Sequence, residues 1–482
     1  MGAPVFSESM NGMTMGFRAG WAAAAAVLCV ACAAPAAADG ISDGDAGRTA
    51  LLAGRYDDAV ALFTKSIASG SLSPINQAIA FNLRGYAYMQ KGQTQAALDD
   101  LNLSLKLGET PDARFNRARV LIGQYHYGEA IDDLNRATAL GSRAADVFAY
   151  RGHAYLYAGK PDLAIKDLDE AIRQQPDYAF AYLTRGHAYL NSGQDDKAIA
   201  DETRAIALAP KNVEARWLRA YAYRYHKQAP DKALADYSAA LAIDPADDAS
   251  RNSRADAYEA LGRWADAQAD YAALIRGNPA GAFGYWARGR VTLIQGHAAE
   301  AAIDLAKAVS LKPADAYDVI WLHLARRQAG VDDTAELQAN SAKVDTAVWP
   351  GPVVDYFAGK TGAATVLAKA GLGDGKAQAA QVCEVQMFMG QDDLAQDRKA
   401  QGVQRLQQAA KVCDPVSREA RLVKAELDRN GAPLPRTVAA SSAAKAPITT
   451  SAASAKPVIR RPAPTLQAQA APDPLALRGS LK

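Results

Sequence analysis

A seven-residue phrase occurs twice in this chain with almost no change. Residues 150–156 read Tyr-Arg-Gly-His-Ala-Tyr-Leu, and residues 184–190 read Thr-Arg-Gly-His-Ala-Tyr-Leu. Ala-Ile-x-Asp follows from Ala164 and again from Ala198, and each unit closes on a proline, Pro176 or Pro210. All three landmarks are displaced by 34 residues. A fixed period of this length leaves few folds open, because a unit of that size buries too little alone and gains a core only by stacking on its neighbours. The same skeleton extends both ways. A small anchor residue stands at Gly85, Ala118, Gly152, Gly186, Ala220, Ala255 and Gly289, at steps of 33 to 35 residues. Its partner later in each unit is always alanine: Ala97, Ala130, Ala164, Ala198, Ala233, Ala267 and Ala301. Tyr88, Tyr155, Tyr189, Tyr223 and Tyr258 lie three residues after their anchors. Pro176, Pro210, Pro245, Pro279 and Pro313 mark unit ends, where a helix cannot continue.

A period near 34 with Gly, Tyr, Ala, Ala and Pro at set offsets resembles the tetratricopeptide (TPR) helix–turn–helix repeat. The resemblance implies an all-α, right-handed solenoid of about eight repeats over residues 39–313. The first of them, near residues 41–77, is weak and carries only Gly54, Tyr56, Ala59 and Phe63. One feature departs from the common pattern. The residue before every anchor is arginine (Arg84, Arg117, Arg151, Arg185, Arg219, Arg254 and Arg288), where leucine is usual. Each has an aspartate 16 residues on, or 17 in the unit of Arg219 and Asp236. Seven coincident pairs predict a structural Arg–Asp ladder, within or between hairpins. The alternative is a row of seven basic ligand contacts.

Beyond Pro313 the period blurs, and residues 314–430 form a C-terminal helical region of TPR character. Helices are predicted over 317–330, 353–357, 363–370, 377–389, 398–412 and 417–430. Residues 431–482 are rich in Ala, Pro, Ser and Thr, with seven basic residues against Asp473 alone. This composition cannot form a core and predicts a disordered basic tail. Its charge could hold the protein near anionic envelope polymers; a plain extension is the other reading.

Arg18, an apolar run over 21–38 and Ala36-Ala37-Ala38 describe a secretory signal peptide over residues 1–38, with Met15 as an alternative start. An uncleaved anchor is the competing reading. Lipidation at Cys32 is less favoured, because Cys29 stands where a lipobox wants an aliphatic residue. Export to the periplasm would leave Cys383 and Cys413 as the two cysteines of the mature chain, in an oxidising compartment. They are placed at the start of one predicted helix and the end of the next, ends that an antiparallel hairpin brings together, so a structural disulfide is expected, with two buried free thiols as the alternative.

Trp349-Pro350-Gly351-Pro352, the stretch from Asp355 to Lys360, and Cys383-Glu384 with Phe388, Gly390 and Gln391 resemble the C-terminal part of NlpI-like periplasmic TPR proteins. The resemblance implies an adaptor that brings cell-wall hydrolases together with a processing protease. The missing lipobox and the long tail are departures from that family. An envelope assembly or secretion factor for outer-membrane components is the alternative function, and an unrecognised hydrolase a minor third.

No catalytic constellation is legible. The six histidines are scattered, residues 371–376 have the wrong spacing for a phosphate loop, and no metal or cofactor is expected. With 54 Lys and Arg against 52 Asp and Glu, the near-balanced charge argues against a general nucleic-acid binder. What remains is recognition of proteins or extended peptides. In TPR proteins the first helix of each repeat lines a concave groove. Register then nominates Asn82, Tyr86, Phe115, Asn116, Arg119, Tyr150, His153, Tyr157, His187, Asn191, Trp217, Tyr221, Arg224, Tyr225, Asn252, Asp256, Trp286 and Arg290. Rings give buried area at low entropic cost, and asparagines bond main chains.

Overall fold

The structure is a computed structural model that describes residues 40–435 apart from 373 and 416. The expected signal segment and the tail beyond residue 435 lie outside the described residues. Helices pair off in chain order: α1 Gly40–Leu52 with α2 Tyr56–Ala68, α3 Pro74–Gln90 with α4 Thr94–Leu107, α5 Pro111–Gly123 with α6 Tyr127–Ala139, and α7 Ala145–Tyr157 with α8 Pro161–Gln174. The array continues with α9 Ala179–Asn191 and α10 Asp195–Leu208, α11 Val213–Tyr221 and α12 Pro230–Ile243, α13 Asp248–Ala260 and α14 Trp264–Gly277, then α15 Ala282–Ile294 and α16 Ala298–Leu311. After α11 the chain makes a π-helical turn over Ala222–His226, which takes up the longer connection to Pro230. No strand occurs among the described residues. The described residues form an all-α solenoid of stacked helical hairpins.

The anchor positions show why the unit needs a small residue. A Cβ added at Gly152 would lie 2.7 Å from Leu168 Cγ and 3.1 Å from the Ala164 carbonyl oxygen. At Gly289 it would lie 2.8 Å from Leu305 Cγ and 3.1 Å from the Ala301 carbonyl. The anchor and its partner alanine are therefore where the two helices of a hairpin cross. Apolar side chains between successive hairpins complete the core, with Leu101, Leu134, Leu168 and Leu305 fully buried.

The seven arginines are structural. In every repeat the guanidinium grips its aspartate through two parallel bonds, as in Arg151 Nε to Asp167 Oδ2 at 2.6 Å and Arg151 Nη2 to Asp167 Oδ1 at 2.7 Å. The third nitrogen of most reaches back to the preceding hairpin: Arg84 to Thr64, Arg117 to Asn102, Arg185 to Asp169, Arg219 to Thr203 and Arg254 to Ser238. The ladder thus ties each hairpin internally and most of them to the hairpin before. Arg185 and Arg254 also lie over the Tyr189 and Tyr258 rings.

One repeat breaks its own rule. Where its neighbours bury Leu134 or Leu168, α10 buries Glu202 completely, and neither carboxylate oxygen has a hydrogen-bond partner. Burial, with Glu214 and Asp201 adding repulsion, pushes its carboxyl well above the ordinary range. In the unfolded chain Glu202 ionises near the usual carboxylate value, so folding is penalised increasingly as pH rises above that value. Glu202→Leu is expected to stabilise α9 and α10 by about 1–3 kcal/mol near neutrality, and to flatten the fall in stability with pH. Amide exchange of those two helices at pH 5 and pH 8 checks this; a gap that does not widen with pH would contradict it.

The C-terminal region comprises α17 Ala316–Gln328, α18 Thr334–Ser341, α19 Gly351–Phe357, α20 Ala363–Ala370, α21 Gly375–Ala395, α22 Lys399–Val412 and α23 Arg418–Arg429. Helix α18 has no counterpart in the sequence expectations. Helix α21 outruns its predicted range at both ends, so Cys383 sits in its third turn rather than at a helix start. It faces Cys413, which caps α22, and the two are joined as a disulfide with Cα atoms 5.0 Å apart. No described helix is long and apolar enough to cross a membrane.

Candidate functional site

Consecutive first helices touch one another along the solenoid, α3 to α5, α5 to α7, α7 to α9 and α9 to α11, and form one continuous wall. Twelve of the eighteen nominated residues lie on these helices, with Arg224 and Tyr225 on the turn after α11, Asn252 and Asp256 on α13 and Trp286 and Arg290 on α15, and half of the eighteen are buried. Asn82, Tyr86, Phe115, Asn116, Arg119, His153, Arg224, Asp256 and Arg290 are buried. The reason is packing between neighbours one period apart. Asn116 Nδ2 donates to Asn82 Oδ1 at 2.9 Å. The Arg119 guanidinium lies among the rings of Tyr86, Phe115 and Tyr150, 5.4–5.8 Å from each. Register groups these residues on one face and overstates their exposure.

What remains accessible is a ribbon of rings. Tyr150, His187, Trp217, Tyr221, Tyr225 and Trp286 are half-buried, as is Asn252, while Tyr157 and Asn191 are exposed. Phe115 meets Tyr150 edge-on at 5.4 Å, and Tyr157 contacts His153 at 4.7 Å and His187 at 5.8 Å. Trp217 stacks on Tyr221 at 5.4 Å, which meets Tyr225 at 4.7 Å. Two further members went unnominated: Phe180 packs on Tyr150 and His153, and Tyr127 stacks on Tyr157. Tyr127 comes from a second helix, which a rule based on first helices passes over. Burial depresses His153 to about 3 and His187 to about 4, so both imidazoles are neutral at physiological pH and act as flat, polar-edged rings.

Further along, the wall is covered by the chain itself. Helix α23 folds back onto α15 and lays two arginines against α13. Arg418 Nε reaches Asp256 Oδ1 at 3.1 Å and Arg421 Nη2 reaches the same oxygen at 2.6 Å. Arg224 Nη2 and the Tyr225 hydroxyl approach Asp256 Oδ2 at 3.0 and 2.9 Å. One turn on, Glu259 accepts from Arg290 and from the Tyr271 hydroxyl, both at 2.6 Å. Burial would raise Asp256, but Arg421, Arg418 and Arg224 hold it well below the usual carboxylate range. Arg224, Asp256 and Arg290 are therefore tied up in an internal charge cluster and are not ligand contacts of the open groove. Nothing in the period announced this, because the pairing joins residues more than 160 positions apart.

Among the described residues no group of His, Cys, Asp or Glu has the geometry to hold a metal ion. The Tetratricopeptide repeat profile matches residues 45–114, 115–179, 150–213, 183–248 and 252–316, together more than half of the 482 residues. No curated protein matches the sequence. Among solved structures, the chain is similar to a tetratricopeptide repeat protein from Parabacteroides merdae, at 21% identity over 52% of this chain and 98% of that one, TM-score 0.40. It is similar to YrrB, described as a TPR protein with an unusual peptide-binding site, at 23% identity over 39% and 95%, TM-score 0.32. A third is TTC0263 from Thermus thermophilus, at 28% identity over 36% and 94%, TM-score 0.32.

Proposed function

This chain belongs to the tetratricopeptide repeat family, and we propose that it is a non-enzymatic periplasmic scaffold that holds extended segments of partner proteins against its first-helix wall. Tetratricopeptide repeats bind protein or peptide partners, which supports a protein-binding scaffold role in general terms. The observation that carries the specific reading is a pair of ring clusters, Tyr150, Phe180, Tyr157 and His187 around the buried His153 and Trp217 with Tyr221 and Tyr225, in which each ring is held by its neighbours before any partner arrives. Such preorganised rings lose little side-chain freedom on binding. The cell-envelope setting rests on the N-terminal apolar segment and on the NlpI-like residues between Trp349 and Gln391. In that setting the partners are cell-wall hydrolases or a processing protease.

Trp217→Ala combined with Tyr221→Ala tests the reading. Aromatic anchors at interfaces are commonly worth about 2 kcal/mol or more, so partner affinity is expected to fall by about thirtyfold or more while the helix content stays unchanged. Capture from envelope extracts with the wild type and the double variant reads it out. Recovery of hydrolases or proteases by the wild type alone supports the proposal, secretion or barrel components favour the alternative, and equal capture by both proteins places the site elsewhere.

A further inference from the structure

We propose that the open cavity between α15, α17, α21 and α23, about 540 Å³ in volume, receives the cationic head of a lysine or arginine side chain from the polypeptide held in the groove. The inference rests on the groove reading and names a chemical preference for its far end. The volume is that of a pocket for a side chain and part of its backbone.

Four carboxyl groups line this space: Asp315, which caps α17, Glu419, and the pair Asp318 and Glu384, neither of which has a cation bonded to it. Asp318 lines the cavity at 5% exposure, and its Oδ2 has no hydrogen-bond partner. Glu384 is held in place by neutral donors only, the Tyr317 hydroxyl at 3.0 Å and Trp349 Nε1 at 2.7 Å. The guanidiniums in the walls are committed elsewhere: Arg290 to Glu259 at 2.6 Å and Arg418 to Asp256 at 3.1 Å. Lys312 stands on the rim, exposed to solvent. Burial, reinforced by Asp315 and opposed by Lys312, pushes Asp318 up to about 7. Burial also pushes Glu384 up to about 7, with Glu419 adding to it against the bonds from Trp349 and Tyr317. Asp318 is buried and Glu384 half-buried, both are short of positive charge, and a bound cation would relieve both.

The remaining walls suit the stem of such a side chain. Phe283 lies 5.8 Å from Trp286, and Trp321 meets Phe388 edge-on at 5.6 Å. Aromatic faces attract an ammonium or guanidinium and cover its methylenes. An anionic ligand would bring its charge against Asp318 and Glu384, while an aliphatic one with no donor at its tip would leave the Asp318 oxygen unsatisfied.

Acetyl-lysine amide and acetyl-arginine amide, titrated against the whole protein at about pH 8 so that both carboxyls are charged, are the probes. Acetyl-norleucine amide is the uncharged control and acetyl-glutamate amide the anionic one, with Trp286 and Trp321 fluorescence as the signal. The cationic amides are expected to bind about tenfold or more tighter than norleucine amide. Asp318→Asn and Glu384→Gln, which keep shape and hydrogen bonding, should each abolish most of that preference without lowering the melting temperature. Equal binding of norleucine amide, preference for glutamate amide, or an unaltered preference in both variants overturns the proposal. The double variant at Trp217 and Tyr221 lies away from this cavity and should bind the lysine amide normally. If that variant loses its partners while no amide ever discriminates, the cavity claim falls and the groove reading stands.

Discussion

Replacing Asp256 with alanine is expected to cost about 3–5 kcal/mol of local stability, more than any other single substitution proposed for this chain. Three guanidiniums, Arg224, Arg418 and Arg421, converge on its two oxygens in a site where Asp256 is only 2% exposed. Removing the carboxylate leaves buried positive charge with no partner. Asp256→Asn should lose nearly as much, since it keeps the shape and removes the charge. The site of the loss matters as much as its size: amide exchange should accelerate in α23 and along α13 to α15, with the early repeats unaffected, because repeat arrays open locally. A depressed carboxyl contributes stability that is present above its unfolded value and disappears only as pH falls through its folded one. The α23 contact should therefore survive mild acid. Loss below about 1 kcal/mol would mean that the cluster behaves as a solvated surface pair.

The second large effect concerns Cys383 and Cys413. Their bond closes a loop of 30 residues, which by chain entropy contributes about 3–4 kcal/mol. It also pins the α21–α22 hairpin, against which α23 packs. Reduction, or Cys413→Ala, should release α21 to α23 to exchange together. Since α23 carries Arg418 and Arg421, the Asp256 cluster should loosen in the same step. Identical exchange with and without reductant would contradict this, as would alkylation of both thiols in unreduced protein.

How much of the molecule is legible in the sequence differs between the parts of the chain. The hairpins are legible because the crossing point of each needs a small residue, and that demand recurs with the period. The Arg–Asp ladder is legible as seven pairs at a constant offset; only its reach into the preceding hairpin depends on the three-dimensional arrangement. The groove is legible as a face and illegible as a depth. Asn82 and Asn116 occupy equivalent positions, and equivalence is what lets them bond to each other and disappear from the surface. Glu202 stands in plain view, since the residue after the ladder aspartate reads Leu101, Leu134, Leu168, Glu202, Tyr237, Tyr271 and Leu305. The docking of α23 has no signal in any local pattern. Its arginines match acids on a helix far away in sequence, and no period connects them.

The central claim is that partners lie along the first-helix wall between α7 and α11. A photo-crosslinking residue at Tyr157, exposed on that wall at 39%, addresses it directly, with the same residue at Ile303, 71% exposed on the second helix α16, as the comparison. The account predicts crosslinks to a partner from position 157, abolished by Trp217→Ala with Tyr221→Ala, and none from position 303. Crosslinks from 303 alone, or crosslinks from 157 that the double variant leaves intact, would contradict it.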